Sequence, residues 1–515
     1  MKRLQIGFLL LFFTTLLGFG QRFPIDYSFS EKYSDRYKYS NLLAINDDGK
    51  GGTILVRTYF AGLILKPKGY FIEHYNSNQE LIAEYNYKLK QKDFIEAVVK
   101  NGQLYLLFLE YNYTNFSYNY VVHQSPIDEF NFTKRTILSI SSKEVMGALD
   151  KNYYNRNFSS GFTTSVLFNQ EKSAFVISTH FKKGKNNKFF IYLFDTSFQK
   201  RLTQDFSEEV EEKNYAFEEV AISKNLDEVY LIGKAYFRRK RFEVNERKFQ
   251  YELVKINAQG AKTQTFDDSG RYSEALKPVL VGDELLCVGF YANRKDNRYN
   301  GLSYFNLNKN SLAFNQQKYH PFSVQFMNDK FGREEDKEVK NLVFKNLSIS
   351  DDKSILFNAE EYFVTSGYQD NPSGARVKVS RYHYNDMVSA KLDADGNLDW
   401  VRNINKSEVT QGDGAYASYS SIMKGEDTYF FISTASENPQ QLSKERIVFK
   451  QGFGRNRNVF VIRLDTHGEM SYEKVIDGKE ARLPLMVSTP LLGENTVHFY
   501  AKRGSKKQLV KVTVN

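Results

Sequence analysis

The stretch VSAKLDADGNLDW, from Val388 to Trp400, decides the fold because two apolar runs flank a turn rich in Asp, Asn and Gly. Polar and apolar residues alternate within the first run, and Trp400 lies in the second, as in two short β-strands. Asp, Asn and Gly tolerate the left-handed backbone conformations that tight hairpins require. The stretch therefore predicts a β-hairpin.

The same kind of hairpin recurs along the chain. A second clear copy turns at Asp465-Thr466-His467-Gly468, and weaker copies have turns of similar composition. These weaker turns are predicted at Asn76-Ser77-Asn78, Ser125-Pro126, Asp195-Thr196, Asn257-Ala258-Gln259-Gly260 and Leu307-Asn308.

A second series of hairpins alternates with the first. Each has an apolar run, a short polar turn and another apolar run. Their turns are predicted at Asp47-Asp48-Gly49, Lys100-Asn101-Gly102, Asn169-Gln170, Lys224-Asn225, Gly282-Asp283, Asp351-Asp352, Lys424-Gly425-Glu426 and Gly493-Glu494.

Alternation of the two hairpins gives units of four strands, which we designate A to D. Repeated four-stranded antiparallel units predict an all-β protein with the architecture of a β-propeller. We expect eight blades, with seven as the nearest alternative. The last unit ends with Leu509 to Val514 as its third strand, so we expect residues around Phe23 to Phe29 to supply the fourth and close the ring.

The hairpin from Lys391 to Trp400 resembles a turn common in secreted bacterial β-propellers. The Gly-Phe-Gly sequence before Gln21 and the Tyr-, Phe- and Asn-rich composition are similar to exported propeller proteins of the Bacteroidota. The resemblance implies a single propeller domain over residues 21–515. The sequence lacks the characteristic motifs of WD40 and kelch repeats. The resemblance implies no particular activity, because propellers support both binding and catalysis.

Residues 1–20 have the composition of a signal peptide. Lys2 and Arg3 precede an apolar run from Ile6 to Leu17, which small residues follow. The run is shorter than the roughly twenty residues of a membrane-spanning helix, which argues against a membrane anchor. We therefore expect export to the periplasm or the cell surface, with no transmembrane segment in the mature chain.

The single cysteine, Cys287, excludes an intramolecular disulfide and a cysteine-based metal site. It lies in an apolar run, so we expect a buried thiol. With 43 Phe, 35 Tyr and only 9 Pro, the chain is rich in residues that favour strands. A large core must therefore provide the stability that disulfides supply in many exported proteins.

Common catalytic motifs are absent from the sequence. No G-x-S-x-G, H-E-x-x-H or Walker sequence occurs, and the seven histidines are scattered. The segment Asp393 to Asp399 could offer oxygen ligands to calcium, but it lacks the distal Glu of an EF-hand, and a plain hairpin turn is favoured. The sequence predicts no catalytic residue, metal or cofactor.

Basic residues concentrate in the connections between strands B and C, within a chain of formal net charge +10. In a propeller these B–C connections share one face, so their charges would act together on an anionic partner. Aromatic residues in the same segments offer flat surfaces for sugars or proteins. The binding residues predicted on this face are Lys182, Lys183, Lys185, Arg238, Arg239, Lys240, Arg241, Arg294, Arg298, Arg381, Arg455, Arg457, Tyr299 and Tyr382.

Two functions are consistent with this pattern. The favoured hypothesis is a non-enzymatic binding or scaffold protein of the cell envelope, whose partner is an acidic envelope protein or an anionic glycan. The alternative is a glycan- or peptide-acting hydrolase or lyase that uses the central funnel of the propeller. Carboxylates, His or Tyr gathered at the axis would favour this alternative. Nucleic acid is not expected, because the chain lacks the known modules for binding it.

Overall fold

The computed structural model describes fourteen segments of the chain. They are residues 23–63, 65–89, 93–141, 162–183, 186–210, 213–237, 247–268, 270–293, 298–332, 339–370, 376–435, 439–442, 446–452 and 457–515. The predicted signal peptide lies outside them.

Two short strands precede a series of antiparallel sheets: β1 (Ile25–Phe29) and β2 (Tyr33–Ser34). Sheets 1 to 4 each contain four consecutive strands in the order A to D. Sheet 1 comprises β3 (Ser40–Asp47), β4 (Thr53–Ala61), β5 (Lys66–Tyr75) and β6 (Leu81–Tyr87). Sheet 2 comprises β7 (Asp93–Lys100), β8 (Gln103–Asn112), β9 (Ser117–Pro126) and β10 (Thr133–Ser141). Sheet 3 comprises β11 (Phe162–Phe168), β12 (Ala174–Lys183), β13 (Asn186–Asp195) and β14 (Lys200–Asp205). Sheet 4 comprises β15 (Lys213–Ile222), β16 (Val229–Phe237), β17 (Phe249–Asn257) and β18 (Gly260–Thr265).

Sheets 5 to 8 follow the same antiparallel plan with additions in sheets 6 and 8. Sheet 5 comprises β19 (Tyr272–Val281), β20 (Glu284–Ala292), β21 (Gly301–Leu307) and β22 (Phe314–Pro321). Sheet 6 contains β23 (Leu342–Ile349), β24 (Ile355–Asp370), β25 (Arg376–Leu392) and β26 (Leu398–Thr410). Sheet 7 comprises β27 (Tyr419–Lys424), β28 (Asp427–Thr434), β31 (Asn458–Leu464) and β32 (Met470–Ile476), and the connection between β28 and β31 carries β29 (Gln440–Gln441) and β30 (Ile447–Lys450). Sheet 8 contains β33 (Leu491–Leu492), β34 (Thr496–Arg503) and β35 (Lys506–Val514).

The structure places a hairpin at every predicted turn of both series. In many C–D turns the first Asp or Asn side chain accepts hydrogen bonds from backbone N–H groups two to four residues later. Asp195 accepts from Ser197 and Gln199, and Asp465 accepts from His467 and Glu469. The side chain thus supplies the hydrogen bonds that hold the turn. The fold is nearly all β, with many four-stranded antiparallel sheets, as expected of a β-propeller.

The Asp393 turn is a plain hairpin. Its carboxylate accepts from the backbone N–H of Asn397 at 2.7 Å and from the side-chain amide of the same residue at 2.8 Å. These bonds and the Lys318 charge outweigh the small effect of burial and lower the pKa of the Asp393 carboxyl. The residue types that suggested calcium therefore serve the turn itself.

The apolar core lies between neighbouring sheets. One cluster of buried apolar side chains fills the space between each pair of sheets that are consecutive in the chain. A further cluster joins sheet 8 to sheet 1 through Leu42, Leu55, Tyr75, Tyr500 and Leu509. Cys287 is a free, buried thiol within the cluster of sheets 4 and 5, as predicted.

Sheet 6 departs from the predicted four-stranded unit. Strand β30 pairs in parallel with β26, and β29 pairs with β30, so the sheet has six strands. Segments treated as B–C loops in the sequence are therefore partly strand. Residues 376–382, for example, lie on β25, which extends with β24 into a long hairpin.

Two short helices among the described residues were not predicted from the sequence. Helix α1 spans Val324–Phe331 and helix α2 spans Gly478–Ala481. Ser323 caps α1 by accepting from the backbone N–H of Phe326. Asp329 on α1 accepts from Arg402 of β26 at 2.6 Å, which anchors the helix on sheet 6. Among the described residues, none of the helices has the length and apolarity needed to cross a membrane.

The first and last strands of the chain pair with each other. Strand β1 lies antiparallel to β35, with Ile25 opposite Val514 and Phe29 opposite Val510. Strand β2 pairs with the start of β35. Residues Phe23 to Phe29, expected to supply a fourth strand, thus include the strand that completes the order β1–β35–β34–β33 in sheet 8.

A buried ionic network joins sheet 1 to sheet 8; we call it the junction network (Asp35, Arg57, Glu73, Lys502 and Lys507). Arg57 donates to Glu73 at 2.7 Å and to Asp35 at 2.9 Å. Lys502 pairs with Asp35, and Lys507 pairs with Glu73. Burial alone would raise the pKa of the Asp35 carboxyl, but Arg57 and Lys502 lower it below its ordinary value of 3.8. The carboxylate is therefore held ionised between two cations.

Replacement of Arg57 by Met should strongly destabilise the protein, because Asp35 and Glu73 would lose a buried partner. Breaking a buried ion pair costs about 3–5 kcal/mol. The matched control is Lys50→Met, since Lys50 lies 3.5 Å from Asp128 with both side chains more than half exposed. Exposed pairs contribute about 0–1 kcal/mol. Urea unfolding checks the difference, and equal losses for the two variants would contradict it.

Candidate active site between sheets 4 and 5

Several A strands carry a β-bulge at a similar position. A bulge adds one or two residues opposite a shorter run on the partner strand, which turns the side chains there in a new direction. The extra residues are Leu43, Ile95, Glu218, Ala275 with Leu276, and Lys345. In sheet 4 the bulge places a carboxylate, Glu218, at a partly exposed position on the A strand.

Glycines in the neighbouring B strands make room for two of these bulges. A Cβ atom on Gly233 would lie 2.2 Å from the carbonyl oxygen of Ala216, and one on Gly289 would lie 2.5 Å from that of Ala275. Both distances are far shorter than a van der Waals contact. An isolated Gly in a strand is the sequence signal of such a bulge, and it was not used in predicting the site.

Glu218 is held by groups from two neighbouring strands. Lys234 of β16 donates to its Oε1 atom at 2.7 Å, and the phenol of Tyr251 on β17 donates to Oε2 at 2.7 Å. The Glu218 side chain remains 36% exposed. The carboxylate is therefore partly open to solvent.

Glu252 on β17 is fully buried on the opposite face of sheet 4, which packs against sheet 3. Lys213 donates to its Oε1 atom and the phenol of Tyr215 donates to Oε2, each at 2.6 Å. Burial first, and then the charge of Glu252, raise the pKa of Tyr215. Tyr215 is therefore held as a protonated hydrogen-bond donor to the Glu252 side chain.

Glu274 is the third carboxylate and begins the A strand of sheet 5. It is 3% exposed, and Arg247 approaches its Oε1 atom at 3.0 Å. Burial raises the pKa of Glu274 from 4.5 to about 7, while Arg247 and Lys234 oppose that shift and the charges of Asp267 and Glu218 add to it. A carboxyl group with this pKa exchanges its proton near neutral pH, as a general acid or base must.

We call Glu218, Glu274 and Asp267 the carboxylate cluster. Its members come from β15, β19 and the segment before β19. Burial raises the pKa of Asp267 as well. The cluster is therefore a place where carboxyl groups with different surroundings lie close to tyrosines and cations, a combination typical of acid–base catalysis.

A cavity of about 880 Å³ lies at the A–B turns of sheets 3 to 6. Gln170 donates there to the carbonyl oxygen of Leu347 at 2.6 Å, so sheets 3 and 6 meet at this end. Several ionisable groups of the cavity are neutralised: Glu228 pairs with Lys255 at 2.5 Å, and Lys309 pairs with Asp283 at 3.2 Å. Such pairs offer less acid–base chemistry than the carboxylate cluster.

The predicted binding residues that the structure describes lie in or beside strands of sheets 3, 5, 6 and 7. Tyr299 stacks on Phe290 and donates to the carbonyl oxygen of Leu342. Burial first, and then the charges of Glu274 and Glu218, raise its pKa, as expected for a residue that borders the carboxylate cluster. Arg298 precedes it in the chain. Arg381 and Tyr382 lie on the long hairpin of sheet 6, and Arg457 precedes β31 in sheet 7.

The remaining predicted residues lie at the end of a strand or outside the described residues. Lys182 and Lys183 end β12. Lys185, Arg238, Arg239, Lys240, Arg241, Arg294 and Arg455 lie outside the described residues. The carboxylates Glu218, Glu252 and Glu274 were not predicted as site residues. In the described part of the chain, no three His, Cys, Asp or Glu side chains form a group able to hold a metal ion.

Comparisons with known proteins concern the fold. No protein-family model and no curated protein matches the sequence. The β-propeller domain of the Trilobed protease from Pyrococcus furiosus is similar at 10% identity and a TM-score of 0.37, over 86% of this chain and 98% of that one. The polysaccharide lyase Uly1 is similar at 8% identity and 0.34, over 95% and 100%. An acylaminoacyl peptidase from Pyrococcus horikoshii is similar at 9% identity and 0.35, over 90% of this chain but 58% of the peptidase.

The prediction of a non-enzymatic binding or scaffold protein is wrong. The similar solved structures are mostly peptidases, with a polysaccharide lyase among them. The carboxylates and tyrosines that the alternative required are also present. They lie between sheets 4 and 5, with Glu218 on β15 and Glu274 on β19. The alternative hypothesis places them at the axis of the funnel instead.

The raised pKa of Glu274 predicts a pH-dependent stability. The folded protein binds this proton more tightly than the unfolded chain, so its contribution is complete below pH 4.5 and is lost as the pH rises through about 7. Glu274→Gln should therefore reduce the fall in melting temperature over that interval. Glu494→Gln, at an exposed position, is the control. Identical pH profiles for wild type and Glu274→Gln would refute the shift.

Proposed function

We propose that the protein is a glycan-acting hydrolase or lyase whose acid–base groups are Glu218 and Glu274. The observation that carries the proposal is the convergence of an exposed and a buried carboxylate, from the A strands of adjacent sheets, with Arg247, Lys234 and Tyr251. Two carboxyl groups in unlike surroundings can divide the roles of proton donor and proton acceptor.

Hydrolysis of a glycosidic bond illustrates the chemistry. Glu274 gives its proton to the leaving oxygen as the bond from that oxygen to the anomeric carbon breaks. Glu218, which pairs with Lys234, takes a proton from the water whose oxygen forms the new bond to the anomeric carbon. In an elimination, Glu218 would instead take the proton from the carbon that bears a uronate carboxylate. A C=C bond would then form to the next carbon as that carbon's bond to the glycosidic oxygen breaks, and Glu274 would protonate this oxygen.

Arg247 controls access to Glu274 in this proposal. Its guanidinium lies 4.2 Å from the ring centroid of Phe249 and contacts the Glu274 carboxyl. An anionic substrate that attracts Arg247 would uncover Glu274. The same movement would remove a cation from the carboxyl group and so favour its protonated form.

Glycan cleavage should depend on Glu274. With a panel of acidic and neutral polysaccharides, we expect new reducing ends, accompanied by absorbance of an unsaturated uronate only if the reaction is an elimination. Glu274→Gln should reduce the rate roughly 100-fold or more, as for loss of a general acid. The wild-type rate should fall as the pH rises through about 7, because Glu274 then loses its proton.

Glu494→Gln is the matched control for this experiment and should keep the wild-type rate. Products from peptides alone would show a peptidase and contradict the proposal. A glycan-cleaving rate unchanged in Glu274→Gln would equally contradict the assigned role.

We also propose that the eight sheets are the blades of a closed propeller, completed by β1. The pairing of β1 with β35, the apolar cluster between sheets 8 and 1 and the junction network support closure. Arg57→Met measures what that network contributes. A closed ring protects the sheet edges that an open array would expose.

Finally, we propose that the protein is exported, with residues 1–20 removed. The basic residues Lys2 and Arg3 before a short apolar run support this. Mass spectrometry of the exported protein should find Gln21 at its amino terminus. A full-length protein that stays in the cytoplasm would contradict export.

A further inference from the structure

A second cavity, of about 540 Å³, lies where sheets 1, 7 and 8 meet. Its lining includes the aromatic rings of Tyr39, Phe60 and Tyr416 and four cations, Lys38, Arg457, Lys502 and Arg503, of which Lys502 is already paired with Asp35. None of the described lining residues is an Asp or a Glu. The cavity is therefore positive and aromatic at once.

Arg457 differs from the buried cations of this protein. Each of those cations pairs with at least one carboxylate within 4.0 Å: Arg57, Lys255, Lys330, Lys406, Lys502 and Lys507. The half-buried guanidinium of Arg457 instead lies over the ring of Tyr416, 5.4 Å from its centroid, and reaches that residue's carbonyl oxygen at 3.5 Å. Among the described residues it has no ion pair.

A cation left without a carboxylate in a desolvated position is unfavourable, because burial removes its water. Burial lowers the pKa of Arg457, and the more distant charge of Glu408 only partly opposes this. An anion that entered the cavity would supply the missing charge. The fork of a guanidinium matches a carboxylate or a sulfate group with two parallel hydrogen bonds.

The aromatic rings indicate what carries the anion. The Tyr39 side chain is 47% exposed, and its ring lies 5.2 Å from the ammonium nitrogen of Lys38. Tyr416 is fixed by a 2.9 Å hydrogen bond from its hydroxyl to the carbonyl oxygen of Lys502. Rings held in place beside a cation offer an apolar surface to a sugar whose acidic group meets the charge.

We infer that this cavity is a binding site for the carboxylate or sulfate group of an acidic glycan, with Arg457 as its main anion contact. The inference shares no residue with the carboxylate cluster, so it can succeed or fail independently of the proposed catalysis. Lys38 and Arg503 add positive charge at the rim, and Tyr39 and Tyr416 contact the sugar ring.

Calorimetric titration of the full-length mature chain tests the site with four probes. They are oligogalacturonate, its neutral methyl ester, a sulfated galactan oligosaccharide and its desulfated form. We expect the acidic member of at least one pair to bind and the neutral member not to bind, with affinity falling as salt increases. Binding within one pair distinguishes carboxylate from sulfate.

Arg457→Met should weaken that binding roughly 10- to 100-fold. Arg376→Met is the control, because Arg376 is 78% exposed on the long hairpin away from the cavity. Arg503→Met, at the exposed rim, should weaken binding less, and it keeps the test informative if Arg457→Met fails to fold.

Equal binding of neutral and acidic probes would overturn the inference. Equal affinity of wild type, Arg457→Met and Arg503→Met would also do so, as would binding of polyglutamate in place of both acidic glycans. A loss of glycan cleavage without a loss of binding in Glu274→Gln would separate the two sites.

Discussion

The contact between the two ends of the chain is the constraint on which the architecture depends. Sheets 1 to 7 are made largely of strands adjacent in sequence, but sheet 8 includes β1. The same junction buries Asp35, Arg57, Glu73 and Lys507 with their side chains fully covered. Buried charges are tolerated only as a complete network, because removing one member leaves another without compensation. The junction thus demands a specific geometry, beyond the general attraction of apolar faces.

The interior between sheets otherwise follows a repeated rule. Alternating side chains of each sheet face its neighbours, and consecutive sheets share an apolar cluster. Such packing occupies the faces of the sheets and leaves the edges of the A strands available for functional side chains. Bulges there change the direction of a few side chains, and the glycines opposite them permit the close approach of the backbone. A local irregularity in a regular repeat thereby creates the position of Glu218.

Charge distribution separates two regions with different chemistry. The carboxylate cluster compensates its acids with Lys234 and Arg247, yet burial still raises the pKa of Glu274 to about 7. The cavity around Arg457 has cations without carboxylates among its described lining residues. A protein that holds an acidic polymer in one region and exchanges protons in another would need both kinds of surface. Their separation lets each be altered without destroying the other.

The sequence by itself determined the strands, their turns and the four-strand repeat, because alternation and turn chemistry are local properties of neighbouring residues. It also predicted the buried Cys287 and the role of the amino-terminal segment as a strand partner. Only the tertiary structure decided that Glu218 and Glu274 lie together, that Arg457 has no carboxylate beside it among the described residues, and that β29 and β30 extend sheet 6. These features depend on contacts between residues far apart in sequence. Burial and neighbouring charge set the chemistry of a carboxyl or guanidinium group, and neither can be deduced from residue type and spacing.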